Sequence, residues 1–147
     1  HFVGTDGPPG YRKVVETIVT HAGMRDHVTF HGSVSQEQLV AHYLSADVFC
    51  CLSDHEGFCV PVIEAMHHGL PVVAFDSTAV GETIGDGGLL LSDKSPLIVA
   101  SALHRIDTDS NLVQRLRDAG RQRANAFDRI VIQDRFSQHI STLLESP

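Results

Sequence analysis

Short β-branched runs alternate with helix-like segments along the first two thirds of this chain, and that alternation restricts its fold more than any other feature. Runs bounded by Gly, Asp or Pro recur at FVG (2–4), HVTFHG (27–32), DVFCCL (47–52), PVVAF (71–75) and GLLL (88–91). Between the first two, YRKVVETIVTHAG (11–23) sets Val14, Val15, Ile18 and Val19 in one apolar stripe and ends at Gly23. SQEQ (35–38) reads as a capping box, Ser35 with Gln38, opening a helix that carries Leu39, Val40, Tyr43 and Leu44. Strands that alternate with helices through short loops predict an α/β fold, a doubly wound parallel sheet covered on both faces. From Pro96 the strand signals stop. SPLIVASALHRI, SNLVQRLRDAGRQRANAF and DRIVIQDRFSQHISTLL predict three successive helices, a helical tail over 96–147.

A chain of 147 residues, 42% apolar and 20% charged, has the length and composition of one globular domain. Its longest apolar stretches fall far short of the roughly 18 residues that a membrane span needs. Three cysteines, Cys50, Cys51 and Cys59, include no CxxC pair and make no disulfide framework, so a reducing cytoplasm is the expected location. Residues 1–103 hold 4 basic and 12 acidic side chains, which argues against nucleic acid as a partner. Residues 104–147 hold 7 and 6, and their arginines 115, 117, 121, 123, 129 and 135 alternate with acids as on a solvated helix face. Ten histidines include no HExxH and no paired Cys/His spacing, and His67 and His68 point apart on a helix, so no metal ligand is expected. DTD (107–109) lies between two predicted helices and reads as a loop with a helix cap. A start at His1, with neither Met nor a leader segment, is expected of a fragment of something longer.

The chemistry concentrates in HEGFCVPVIEAM (55–66), where Glu56 and Glu64 stand eight positions apart across a strand-to-helix turn. Pro61 suits the first turn of a helix, which therefore begins near Val60. Glu56 is placed on a loop at the carboxyl end of a strand and Glu64 about one turn into the helix, both facing one crevice. Amides near Gly57, Phe58, Cys59 and Val60 would then stand at a helix N-terminus, where an anion such as a diphosphate binds. Carboxylates accept hydrogen bonds from polyol hydroxyls, so acids beside an anion site suit a nucleotide sugar. The same residues have a second reading, with Glu64 serving the helix dipole and Glu56 exposed on its loop. Cys59 reads as a small packing residue rather than a nucleophile.

EGFCVPVIEAM, followed by HGLPVVAFD and AVGETIGDGGLLL, resembles the E-x7-E signature and downstream strand of retaining glycosyltransferases of the GT-B fold, family 4. FVGTDGP (2–8), VTFHGSVSQEQL (28–39) and ADVFCCLS (46–53) resemble further strands of the same family, in its order, so that the likeness covers about residues 2–92. The resemblance implies a Rossmann-like domain, the C-terminal, donor-binding part of a GT-B enzyme, filling 1–147 as a single-domain fragment. It implies that Glu56 is catalytic, lying against the donor sugar and helping to orient or electrostatically assist the reacting centre, that Glu64 binds ribose, and that amides around Gly57, Phe58, Cys59 and Val60 hold the diphosphate. Gly4 would line the nucleotide cleft, and Gly32 and Val34 would sit beside the base. The implied reaction moves a sugar, with retention, from a nucleoside-diphosphate sugar to a glycan or lipid-linked acceptor, as in polysaccharide assembly, with no cofactor and no essential metal.

Two departures stand out: Cys59 replaces the Gly more usual after EGF, and Gly81 stands where a Pro often precedes the Glu at 82. The family's acceptor-side domain, and the first strand and helix with their Arg and Lys, have no match here; Arg12 and Lys13 do not fill those positions. The chain alone is therefore expected not to transfer sugar. Its sheet is expected either to close across the missing strand or to recruit one, as in a strand-sharing homodimer. For the full-length protein the resemblance adds peripheral association with the inner face of the membrane. The competing reading is a non-catalytic nucleotide-binding or interaction module on a similar sheet. A phosphorylase of the same architecture is weaker still, because no position offers its cofactor lysine.

Overall fold

The computed structural model describes residues 1–145. In chain order the elements are β1 (Phe2–Val3), α1 (Tyr11–His21), β2 (Phe30–Gly32), α2 (Gln36–Ser45), β3 (Phe49–Cys51) and α3 (Val60–His67). They continue with β4 (Val72–Phe75), α4 (Val80–Ile84), β5 (Leu89–Leu91), α5 (Pro96–Thr108), α6 (Ser110–Asn125) and α7 (Arg129–Glu145). Every predicted strand and helix is present, and all strand pairs are parallel. The described strands form two sheets rather than one, β1-β2 and β3-β4-β5. The chain also divides into two compact units, His1–His42 and the remainder from Tyr43.

The first unit is thinly packed. None of its residues is buried. Of the predicted α1 stripe, Val15 and Val19 are half-buried, whereas Val14 and Ile18 are 58% and 61% exposed, so the stripe is half as wide as its spacing suggests. Phe2 and Phe30, paired across β1 and β2, stack at 5.0 Å between ring centroids. The Arg12 guanidinium covers Phe30 at 5.4 Å and reaches Asp6 (3.1 Å) and Glu16 (3.0 Å). Only Phe30–Gly32 of HVTFHG is strand, because Arg25–His27 close a 3-10 turn in which His27 donates its N–H to the Met24 carbonyl. The capping box forms as read: the Ser35 N–H donates to Gln38 Oε1 (2.9 Å), and the Gln38 N–H donates to Ser35 Oγ (3.3 Å).

The second unit holds the core. Val72, Val73 and Ala74 of β4 are fully buried, and α3 presents Val62, Ala65 and Met66 at positions i, i+3 and i+4 to the same interior. Helix α6 seats on α3 through Gly120, where an added Cβ would stand 3.2 Å from the Gly87 carbonyl oxygen and 3.3 Å from Met66 Cγ. On another side, Ala102 and Ile106 of α5 pack with Leu112 and Leu116 of α6 against Val73 and Leu91. Asp109 caps α6 by accepting the Leu112 N–H at 2.9 Å, so DTD is the loop and cap expected of it. Arg115, Arg121, Arg129 and Arg135 are exposed, as on a solvated face. Arg117 and Arg123 differ: both are half-buried, and Arg123 donates to the carbonyls of Glu82 and Thr83. Helix α7 buries no side chain, and among the described residues no helix is long and apolar enough to cross a membrane.

Candidate functional site

The strand β3 runs out at Cys51, and α3 starts at Val60 with Pro in its first turn. Between them the chain turns at Cys59, whose φ of 62° and ψ of 61° are left-handed. That conformation suits glycine and disfavours a side chain by roughly 1–2 kcal/mol, so the Gly-to-Cys departure is a departure in backbone strain as well as in volume. No side chain caps this end of α3. The positive pole of the helix is thus left without a side-chain acceptor, although the Val62 N–H donates to the Cys59 carbonyl at 3.0 Å.

Three side chains hold the loop in place. The Glu56 N–H donates to Thr78 Oγ1 (2.9 Å), and the Thr78 hydroxyl donates back to the Glu56 carbonyl (2.7 Å). Beside it, buried Ser77 donates its hydroxyl to the Ser53 carbonyl at 2.7 Å. Lys94 pairs with Asp54, donates to the Leu52 carbonyl (3.2 Å), and lies over the Phe75 ring at 5.0 Å. The loop is thus tied to the segments following β4 and β5.

The two acids have different neighbours. Half-buried Glu56 brings a carboxylate oxygen within 4.8 Å of the Cys51 and Cys59 sulfurs, which are 3.7 Å apart. Burial, then the neighbouring Cys51, pushes the Cys59 thiol up to about 12. It is protonated at neutral pH and is no nucleophile. Glu64 accepts a hydrogen bond from the Tyr43 hydroxyl at its Oε2 (2.9 Å). The Tyr43 ring stacks on His68 at 5.4 Å, and burial with the Glu64 contact holds its phenol well above the ordinary tyrosine range. Glu64 is thereby oriented while retaining acceptor capacity.

Of the other predicted site residues, exposed Phe58 meets the Phe127 ring edge-on at 5.2 Å, and Phe127 in turn carries Arg123 at 4.8 Å. Gly57 and Val60 are exposed on either side of Phe58 and Cys59. Gly4 and Gly32 belong to the first unit, where with Phe2, Tyr11, Arg12 and Phe30 they line a groove; Val34 is half-buried beyond Gly32. At Gly81 an added Cβ would meet the carboxylate of exposed Asp76, which would have to turn aside.

Tyr43, Thr78, Ser77 and Lys94 were not singled out from sequence as parts of the site. Their bonds span 21 to 42 residues, and no local pattern encodes such a contact. The one available signal was weak, a Ser-Thr pair at the carboxyl end of a strand, where hydroxyls often bond loop backbone.

The sequence matches the family described as "Glycosyl transferases group 1" over residues 1–123. The chain belongs to that family. It is 35% identical over 112 residues to an MMP alpha-(1->4)-mannosyltransferase of Mycolicibacterium hassiacum, an alignment that covers 74% of this chain and 27% of that protein. The fold is similar to that of Anabaena HepE in complex with UDP-glucose, with a TM-score of 0.83 and 23% identity over 95% of this chain and 40% of that one. It is also similar to the C-terminal domain of a glycosyl transferase group 1 family protein from Francisella tularensis, with a TM-score of 0.71 and 27% identity, covering 81% of this chain and 63% of that one. The fold is thus α/β, Rossmann-like, and that of the C-terminal domain of GT-B glycosyltransferases. The chain spans about a quarter of the mannosyltransferase it matches.

Proposed function

We propose that this chain is the donor-binding part of a retaining hexosyltransferase of GT-B family 4, with E-x7-E at Glu56 and Glu64. Glu64 binds the ribose of a nucleoside-diphosphate sugar, and the Phe58, Cys59 and Val60 amides hold the diphosphate. Glu56 lies against the sugar and steadies charge at the reacting carbon. Catalysis is then positioning and charge stabilisation of a departing diphosphate, and needs no metal. The acceptor, a glycan or lipid-linked glycan, is received by a further domain, and transfer takes place in the cytoplasm. The roles of Gly4, Gly32 and Val34 rest on the family resemblance alone.

The observation that carries this reading is the Tyr43 hydrogen bond to Glu64. A carboxylate that accepts on one oxygen and lies in a helix whose start has no side-chain cap supports a grip on a diol next to a diphosphate, and family membership favours a transferase over a non-catalytic module. The test is a titration of this chain with UDP, GDP and ADP followed by amide NMR shifts, alongside Glu64→Gln. Saturable shifts centred on residues 56–64 are expected for one base, with affinity about tenfold lower in the variant, the value of a hydrogen bond to a charged group. Equal affinity in Glu64→Gln would remove Glu64 from the site.

A further inference from the structure

In the first unit, β1 and β2 carry aromatic rings on both faces. Phe2 and Phe30 stack on one side, and His31, the next residue of β2, turns to the other, as strand alternation requires. There it meets His1, which precedes β1, and His42 from α2. His1 Nδ1 and His31 Nε2 are 2.8 Å apart. The His31 and His42 ring centroids are 4.2 Å apart, and one ring nitrogen of each of the three histidines lies within 4.8 Å of the other two.

We propose that His1, His31 and His42 form a binding site for one divalent ion of the borderline class, zinc before nickel or copper. Imidazole nitrogens bind zinc tetrahedrally at about 2.0–2.1 Å, which sets neighbouring ligands roughly 3.3 Å apart. The His1–His31 separation is already near that value, and the rings come from three separate elements, so small side-chain rotations complete the set. The 2.8 Å contact is a hydrogen bond with one proton between the two rings; when the ion binds, that proton passes to the other nitrogen of the donor ring, and both facing lone pairs go to the metal. Exposed His1 leaves the fourth position open to water. Positions 1, 31 and 42 follow no ligand-spacing pattern, and for this reason the sequence reading expected no metal. The ion would fasten β1, β2 and α2 in a unit that has no buried residue.

The second donor set, Cys51, Glu56 and Cys59, offers two sulfurs and a carboxylate to the same ion, so the test must separate the two. Chelator-stripped full chain is titrated with Zn²⁺ and followed by imidazole ¹⁵N shifts and by amide hydrogen exchange. One ion per chain is expected, with shifts at His1, His31 and His42 and slower exchange confined to residues 1–42. His31→Gln and His42→Gln weaken binding by at least about tenfold, while Cys51→Ser leaves it unchanged. Zn²⁺ binding that survives both histidine variants, binding abolished by Cys51→Ser, or no imidazole shift at about 1 mM metal overturns the proposal. The wild-type imidazole shifts decide the matter even if a variant does not fold.

Discussion

At the scale of a residue, Cys59 is the most constrained position of the site, left-handed in backbone, buried, and beside a second thiol. Its raised titration has a sign that can be followed. The folded chain keeps the Cys59 proton up to about 12, whereas an ordinary cysteine releases it near 9.0. Between those values unfolding releases a proton, so stability is complete below the lower value and falls as pH rises above it, by at most about 1.4 kcal/mol per pH unit. Urea unfolding at pH 8 and pH 10 should show wild type losing more stability than Cys59→Ala. Equal losses would place the thiol in water. Pro61 and the turn before α3 were legible from the sequence because each acts within a few residues. The Tyr43 contact was not, since a tyrosine four positions after Leu39 on a helix looks like a core residue until Glu64, 21 positions later, folds against it.

Among elements, the same rule separates what was legible from what was not. The Ser35 and Gln38 box and the Asp109 cap are contacts at i, i+3, and the sequence displays both partners together. The seating of α6 on α3 through Gly120 joins segments about 55 residues apart, and a lone glycine in a helix signals only a local cost of about 1 kcal/mol. Its structural role yields a prediction. Gly120→Val places side-chain carbon against the Gly87 carbonyl and Met66 and should lower stability by about 1–3 kcal/mol in urea unfolding. Asp109→Ala, which only removes the cap of the same helix, should cost about 1 kcal/mol. If Gly120→Val proves the milder of the two, α6 does not rest on α3 as described.

For the whole molecule, the alternation of strands and helices was enough to read the architecture, but not the division into two sheets. Periodicity reports which face of an element is apolar and is silent about which neighbour covers it. The two units differ in core: none of residues 1–42 is buried, whereas Val62, Met66, Val72, Val73, Val80 and Ile84 are inaccessible in the second. Local opening follows buried apolar contact. Amides of β1 and β2 should therefore exchange with deuterium well before those of β4, and at a denaturant concentration below the main transition. Coincident exchange of both sets would show that the units open together.

The Thr78 hydroxyl engages both main-chain groups of Glu56, and so acts as a one-residue substitute for a neighbouring strand. Backbone position and side-chain chemistry at Glu56 thus become independent variables for the experimenter. Glu56→Gln changes charge on an anchored backbone, while Thr78→Val, nearly the same shape, keeps the charge and releases the anchor. Thr78→Val, which removes exposed hydrogen bonds, should cost about 0.5–1.5 kcal/mol in thermal unfolding and broaden amide signals over 53–59. Unchanged signals there would mean that the loop is held by Ser77 and Lys94 alone.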